Sequence, residues 1–448
     1  MQLLRFHPYF RPMKLSHLLI LLLATGQFAC TTTRKISRLT AGLDTLFNSP
    51  TLAQHHVGFA LYDPQAKRML HERQADHYFT PASNTKLFTF YAGLCVLGDS
   101  VPALRYSLRK ASSGDSLVIW GTGDPSLLHP DLPRSRVFDF LETRREKLIF
   151  STQNSIQPVY GPGWAWDDYN DEYQPELSSL PVYGNILRFR ADATQRWQPA
   201  LPYFRRYLAL DSTLKVVQRN LMTNLFRLPT VPARPNQVQD VPYLTSPELT
   251  VQLLADTLKK EVRLRNVPFD RTTQTIYSVP VDSLYARMLQ VSDNMLAEHV
   301  MLLVSGVARD TLSVPGGIAH VKKNFLADLP DQPNWVDGSG LSRYNLFTPQ
   351  TMIKLLEKIS GKVPRERLFR LLPVGGQNGT LKNQYKDTGP FVYAKTGSLS
   401  GVYNLSGYLV AKSGKVLLFS FMNNNFLVPT AEVRRDVERV LRAVREAF

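Results

Sequence analysis

Residues 391–423, FVYAKTGSLSGVYNLSGYLVAKSGKVLLFSFMN, decide how the fold is read. Phe391 to Lys395, Val402 to Val410 and Val416 to Asn423 are rich in β-branched and aromatic residues. The last two are joined across Lys412-Ser413-Gly414-Lys415, so the stretch predicts a three-stranded antiparallel meander. Beyond it, Val433, Val437, Val440, Leu441, Val444 and Phe448 recur at helical spacing, which predicts a C-terminal amphipathic helix covering one sheet face. Near the other end, Val57 to Tyr62 and Arg68 to Glu72 read as paired strands around the turn Asp63-Pro64. Pro81 then opens a helix in which Leu87, Phe88, Phe90, Tyr91, Leu94 and Leu97 leave almost no polar face, as a central buried helix would.

Between these ends the character changes. From about Leu97 to Pro242, Pro and Gly are scattered, candidate strands such as Ser116 to Trp120 are short, and turns are dense from Pro158 to Tyr173. Helical periodicity returns in Pro247 to Lys260 and in Val281 to Val304. At 448 residues the chain exceeds one comfortable hydrophobic core. The expected organisation is a leader over 1–30, a first part of the main unit over 31–98, an inserted β-rich unit over 99–242, and the remainder of the main unit over 243–448. The fold class is α/β (α+β), an antiparallel sheet flanked by helices.

Three short signatures sit in the main unit: Ser83-Asn84-Thr85-Lys86, Ser292-Asp293-Asn294 and Lys395-Thr396-Gly397-Ser398. Each has decoys or is short enough to be cheap. Ser-x-x-Lys arises by chance roughly once or twice in a chain of this length, and Ser107 to Lys110 and Ser212 to Lys215 also fit. Only Ser83 lies between a helix-starting proline and a long buried helix, which sets Lys86 one turn away on the same face. Lys412-Ser413-Gly414 imitates the third signature but falls in a hairpin turn. Ser292-Asp293-Asn294 is the single Ser-x-Asn of the chain.

Their chemistry is complementary. A serine hydroxyl is a weak nucleophile at neutral pH and needs a positioned base; a lysine serves if burial or nearby cations depress its pKa. Ser83 is the candidate nucleophile and Lys86 its base. Lys395 would add positive potential, and Ser292 would relay a proton toward a leaving amine. Asn294 offers an amide either to the substrate backbone or to Lys86. Thr396 and Ser398 would face a substrate carboxylate, the N–H groups of Ser83 and Ser398 would meet a developing oxyanion, and Gly397 would leave that approach open.

With these three signatures in order, the chain resembles the D-alanyl-D-alanine carboxypeptidase/endopeptidase family of low-molecular-mass class C penicillin-binding proteins. The resemblance runs from about His56 to Asn424. It includes Asp337-Gly338-Ser339-Gly340-Leu341-Ser342-Arg343 with Asn345 and Thr348-Pro349, Gly379-Thr380-Leu381, Gly401-Val402-Tyr403-Asn404-Leu405, Gly123-Asp124-Pro125, and Gly163-Trp164-Ala165-Trp166-Asp167-Asp168. It implies a penicilloyl-serine transferase fold, interrupted by one or two extra domains. It also implies peptidoglycan stem peptides as substrate, an acyl-enzyme on Ser83, and β-lactams as inhibitors. A serine β-lactamase shares the signatures, but the long insertion and the want of an identifiable carboxylate base for rapid deacylation speak against it. A non-catalytic wall-binding lipoprotein is the other alternative. Asp337, Ser339 and Arg343 read mainly as a loop knot holding the site wall, and Trp164 to Asp168 as a turn cluster joining insertion to main unit.

Arg11 and Lys14 precede the apolar run Leu18 to Ala24, too short to span a bilayer as a helix, which reads as a secretion signal. Cys30 after Ala29, followed by Thr31-Thr32-Thr33, resembles a bacterial lipoprotein processing site, with ordinary signal-peptidase cleavage as the alternative. The expected location is the periplasm, or outside the cytoplasmic membrane, with lipid anchoring through Cys30. Cys95, among Leu94, Val96 and Leu97, reads as a small buried hydrophobe. Of the formal charge of +16, three positive charges lie before Cys30, leaving +13. Such a surface would favour anionic head groups or wall polymers, or is merely that of a basic soluble protein. No nucleic-acid module, cofactor site or metal-ligand pattern is evident; His55-His56 and Glu298-His299 read as structural or solvated.

Overall fold

The computed structural model describes residues 40–448 except 113 and 271, so the leader and Cys30 lie outside the described residues. Helix α1 (residues 40–47) precedes strands β1 (His56–Asp63) and β2 (Arg68–Arg73), which pair antiparallel as the sequence predicts. A 3-10 turn, Ala82–Thr85, then delivers α2 (Lys86–Val96). Every residue of α2 from Lys86 to Gly93 is buried, because its all-round apolar surface can be satisfied only inside a core.

The insertion begins with β3 (Ser100–Arg109), β4 (Ser116–Gly121), α3 (Arg136–Glu142) and β5 (Lys147–Ser151). Next come β6 (Ile186–Ala191), β7 (Trp197–Pro199), β8 (Leu208–Asp211), β9 (Gln218–Arg219), β10 (Phe226–Pro229) and β11 (Val238–Pro242), which form two three-stranded sheets, β11-β6-β7 and β8-β10-β9. The chain does not return to the main unit at 243, where the sequence suggested the boundary. Helix α4 (Pro247–Leu258) is followed by β12 (Val262–Leu264) and β13 (Gln274–Pro280), which complete a five-stranded sheet in the order β12-β5-β4-β3-β13. Leu253, Leu254 and Leu258 of α4 pack in one core with Ile119 and Phe150. The helical period of 247–260 was legible, but a period does not say against which sheet a helix packs.

A second correction concerns Val281 to Val304. One helix is expected there, and the structure has two, α5 (Val281–Gln290) and α6 (Asn294–Arg309). Ser292 between them adopts φ +66°, the left-handed region, and the Asp293 carboxylate caps α6 by accepting from Leu296 N. Such a cap stabilises a helix start by about 1 kcal/mol. The apolar rhythm continues across the break because both helices bury their faces in the same core, which includes Leu284, Met288, Leu296 and Val300.

Helices α7 (Val314–Phe325), α8 (Pro349–Lys362) and α9 (Arg365–Leu371) lead to β14 (Val392–Leu399), β15 (Val402–Val410), β16 (Val416–Asn424) and α10 (Thr430–Ala447). The meander is present as predicted, with β14 running on to Leu399 so that the whole third signature lies in a strand. The main sheet is ordered β14-β15-β16-β1-β2, all antiparallel. One face packs on α8, in a core that continues through α2, α5 and α6. On the other, α10 buries Val433, Val437, Val440, Leu441 and Val444. At about 1.5–3 kcal/mol per fully buried side chain, that stripe is enough to hold the terminal helix on the sheet.

Candidate active site

The three signatures converge from three elements. Lys86, the first residue of α2, places Nζ 2.9 Å from Ser83 Oγ. The same nitrogen donates to Asn294 Oδ1 at 2.6 Å and to the Ser339 carbonyl at 2.7 Å. From β14, Lys395 Nζ donates to Ser292 Oγ at 2.9 Å and to the Thr396 carbonyl at 2.7 Å. Both lysines are completely buried.

Burial disfavours the charged form of each. It pushes the Lys86 pKa down to about 8, against the opposing pull of Asp337, Glu298 and Asp293. Lys395 is driven well below its ordinary value by burial and then by the charge of Lys86. A lysine with pKa near 8 is neutral in about a tenth of molecules at pH 7, a usable supply of base beside a hydroxyl.

Close backbone approach positions these groups. A Cβ on Gly397 would stand 2.4 Å from the Pro81 carbonyl and 3.1 Å from Ser83 N, so β14 can lie against the serine turn only with glycine there. Gly340, at φ +84°, would drive a Cβ to 1.8 Å from the Ala82 carbonyl. The loop before and after Gly340 is tied by Asp337, which accepts from Gly340 N, Ser342 N, Asn345 Nδ2 and Trp164 Nε1 at 2.7–3.0 Å. That is the knot expected of Asp337, with Trp164 as the link from the insertion. Ser339 contributes its backbone carbonyl to Lys86, and Arg343 donates to the Ser400 carbonyl at 3.0 Å.

Ser83, Ser292, Asn294 and Ser398 open onto a cavity of about 610 Å³, shared with Asp168 and Tyr173 of the insertion, Arg343 and Ser400. Lys86 and Lys395 lie behind it, and Thr396 turns its hydroxyl to Thr380 Oγ1 at 2.8 Å. Tyr173 was not singled out in the sequence beyond the end of a dense turn region. Its carbonyl accepts from Asn294 Nδ2 at 2.9 Å, a backbone role that no side-chain pattern announces. Glu298, read as structural or solvated, is buried one turn after Asn294 and accepts from Gly338 N and Ser339 N. Cys95 is half-buried with its thiol pKa raised by burial, in keeping with a packing role. Among the described residues, no group of three or more His, Cys, Asp or Glu side chains is arranged to hold a metal ion.

A model of the D-Ala-D-Ala carboxypeptidase 3 (S13) family matches residues 39–446, nearly the whole described chain. The chain belongs to that family. As an S13 peptidase it is an enzyme, a serine-type hydrolase of the cell wall. It is 27% identical to the D-alanyl-D-alanine carboxypeptidase of Actinomadura sp. strain R39, over 90% of this chain and 84% of that one. It is 24% identical to D-alanyl-D-alanine carboxypeptidase DacB of Haemophilus influenzae, over 82% and 85% of the two chains. The fold of this S13 peptidase is that of the crystal structure of penicillin binding protein 4 (dacB) from Haemophilus influenzae, with a TM-score of 0.73 and 20% identity over 90% of this chain and 99% of that one. The penicilloyl-serine transferase fold is thus the one present. None of the described helices is long and apolar enough to cross a membrane.

Proposed function

We propose that the enzyme removes the terminal D-Ala of peptidoglycan stem peptides, or cleaves D-centred cross-links between them, through an acyl-enzyme on Ser83. The observation that carries this reading is the 2.9 Å approach of the buried Lys86 amine to Ser83 Oγ. Neutral Lys86 takes the Ser83 proton as Oγ bonds to the penultimate D-Ala carbonyl carbon. The N–H groups of Ser83 and Ser398 meet the oxyanion. On collapse the C–N bond breaks, and the amine leaves with a proton passed from Lys86 through Ser292, which Lys395 orients. Water then adds to the ester carbonyl, with its proton returning by the same groups, and Ser83 is released.

Gly397 keeps β14 at the distance a substrate strand requires. Ser398, at the cavity wall, reads the terminal carboxylate; Thr396, expected to share that role, gives its hydroxyl to Thr380 and lies behind the wall. Asn294 supports the reading that it holds Lys86, since its Oδ1 is taken by that lysine and its Nδ2 by Tyr173. A β-lactam mimics the D-Ala-D-Ala amide and would acylate the same serine; one Haemophilus influenzae homologue of the same fold has been solved in complex with a novel β-lactam. Action on wall peptides places the enzyme outside the cytoplasm, and the Ala29-Cys30 context supports lipid attachment there.

Mass spectrometry after exposure to a labelled penicillin, with peptide mapping, tests the nucleophile: an adduct on Ser83 is expected, and its absence would sink the assignment. Slow release of that adduct distinguishes the peptidase from a β-lactamase. Digestion of cross-linked and uncross-linked muropeptides separates the two peptidase activities.

A further inference from the structure

Glu298 is a buried carboxylate beside the site that the scheme above leaves without work. It is 1% exposed, and its two oxygens accept from successive peptide N–H groups, Gly338 at 2.9 Å and Ser339 at 2.7 Å. Two adjacent N–H groups converging in a dry interior need two acceptors, and a single carboxylate supplies both. Burial, first, and the neighbouring Asp337 carboxylate push the Glu298 pKa up, against the pull of the Gly338 and Ser339 N–H groups, which favour the ionised form that accepts both.

Its consequence falls on Lys86. The Gly338 carbonyl accepts from Thr89 Oγ1 at 2.5 Å, and Gly340 N donates to Asp337 at 2.8 Å. The peptide planes on either side of Ser339 are therefore pinned, and the Ser339 carbonyl is aimed at Lys86 Nζ. A Cβ on Gly338 would meet the Ala297 carbonyl at 2.7 Å, so the loop is seated directly on α6. Asn294 and Glu298, four residues apart, share one face of that helix. One reaches Lys86 through its own oxygen and the other through the Ser339 carbonyl.

Lys86 Nζ thus has three neighbours: Ser83 Oγ, Asn294 Oδ1 and the Ser339 carbonyl. An amide oxygen and a carbonyl oxygen can only accept, whereas a hydroxyl can also donate. When Lys86 is neutral, its two N–H bonds are claimed by Asn294 and Ser339, and its lone pair is left pointing at the Ser83 hydroxyl. We infer that Glu298 is a positioning residue for acyl transfer: by fixing the Ser339 carbonyl it directs the Lys86 lone pair to Ser83. This deepens the reading of Ser83 and Lys86 given above and rests on it.

The test compares the full-length parent with Glu298→Gln, Thr89→Val and Thr89→Ser, reading acylation of Ser83 by a fluorescent penicillin, turnover of a D-Ala-D-Ala peptide and thermal unfolding. Glu298→Gln offers one acceptor and sets an NH2 donor against a peptide N–H. Acylation and kcat are expected to fall by at least about tenfold with KM nearly unchanged, because the lost alignment matters in the transition state rather than in substrate binding. Thr89→Val frees the other side of the same loop and should slow acylation by about threefold or more, with Thr89→Ser restoring it. Folded Glu298→Gln and Thr89→Val proteins that acylate at the parental rate would overturn the inference. If Glu298→Gln does not fold, the threonine pair decides: equal rates for Val and Ser overturn it, and loss with serine rescue supports it. A parent that takes no label on Ser83 overturns the underlying assignment of the nucleophile, a different failure from parental rates in the variants.

Discussion

The lysine centre of the catalytic unit and the ion ladder that fastens the insertion to it solve opposite problems. Lys86, Lys395 and Glu298 are sealed from water, and each buried charge is matched to fixed oxygens or N–H groups. The ladder runs from Asp240 through Arg188, Asp131 and Arg287 to Asp293, with contacts of 2.7–3.1 Å between side chains that keep 13–30% of their exposure. The first arrangement uses a dry interior to shift lysine pKa values toward the working range, where every misplaced donor is costly. The second uses water-screened pairs to orient two units, where loss of one pair costs little. The catalytic lysines sit where desolvation is greatest, and the ladder where water still reaches.

The contrast can be broken most severely at the centre. Ser83→Ala should abolish the penicillin adduct and lower turnover by at least about 10⁴-fold, read by mass spectrometry and D-Ala release. Acylation by the parent should rise with pH through about 8, where Lys86 becomes neutral, and fall about tenfold per unit below that. A flat stopped-flow profile between pH 6 and 9 would exclude Lys86 as the base. Trp164→Phe removes the 3.0 Å bond from the insertion to Asp337 and should destabilise by about 1 kcal/mol, measured by denaturant melts, with a smaller effect on rate.

The smallest effect belongs to the ladder. Arg188, first, and then Arg287 hold the Asp131 pKa down to about 2. Because the folded-state value is depressed below the unfolded one, its stabilisation is complete above about pH 4 and is lost as pH falls toward 2. Asp131→Asn should therefore flatten the acid limb of the thermal midpoint while changing acylation at pH 8 by less than about threefold. A large loss of acylation would show that the ladder belongs to the catalytic machinery after all.

Sequence legibility follows the same divide. The meander, the C-terminal helix and the buried α2 were readable because each carries a regular apolar period on a single face or all round. Ser83, Lys86, Ser292 and Lys395 were readable because their chemistry needs those residue types, and the structure brings them within hydrogen-bonding distance in two pairs. The break at Ser292 was hidden because α5 and α6 share one core and keep one rhythm through it. The end of the insertion was hidden because β12 and β13 are recognised by their partners, β5 and β3, and not by their own composition. Glu298 read as structural or solvated, but its partners could not be named because they are peptide N–H groups forty residues away, which have no letter in the sequence.

The pairing of β1 with β16, His56 opposite Asn424 through Tyr62 opposite Leu418, sets an order of events as well as a shape. A chain that emerges from its N-terminus presents Ser83 and Lys86 beside a strand, β1, whose partner β16 follows several hundred residues later. Long-range pairing of this kind is slow, and the waiting strand edge is open to wrong partners. Lys395 arrives on the same final meander that closes the sheet. The Lys395–Ser292 pair therefore forms only after β14 has followed Ser83 and Lys86 through more than three hundred residues of chain.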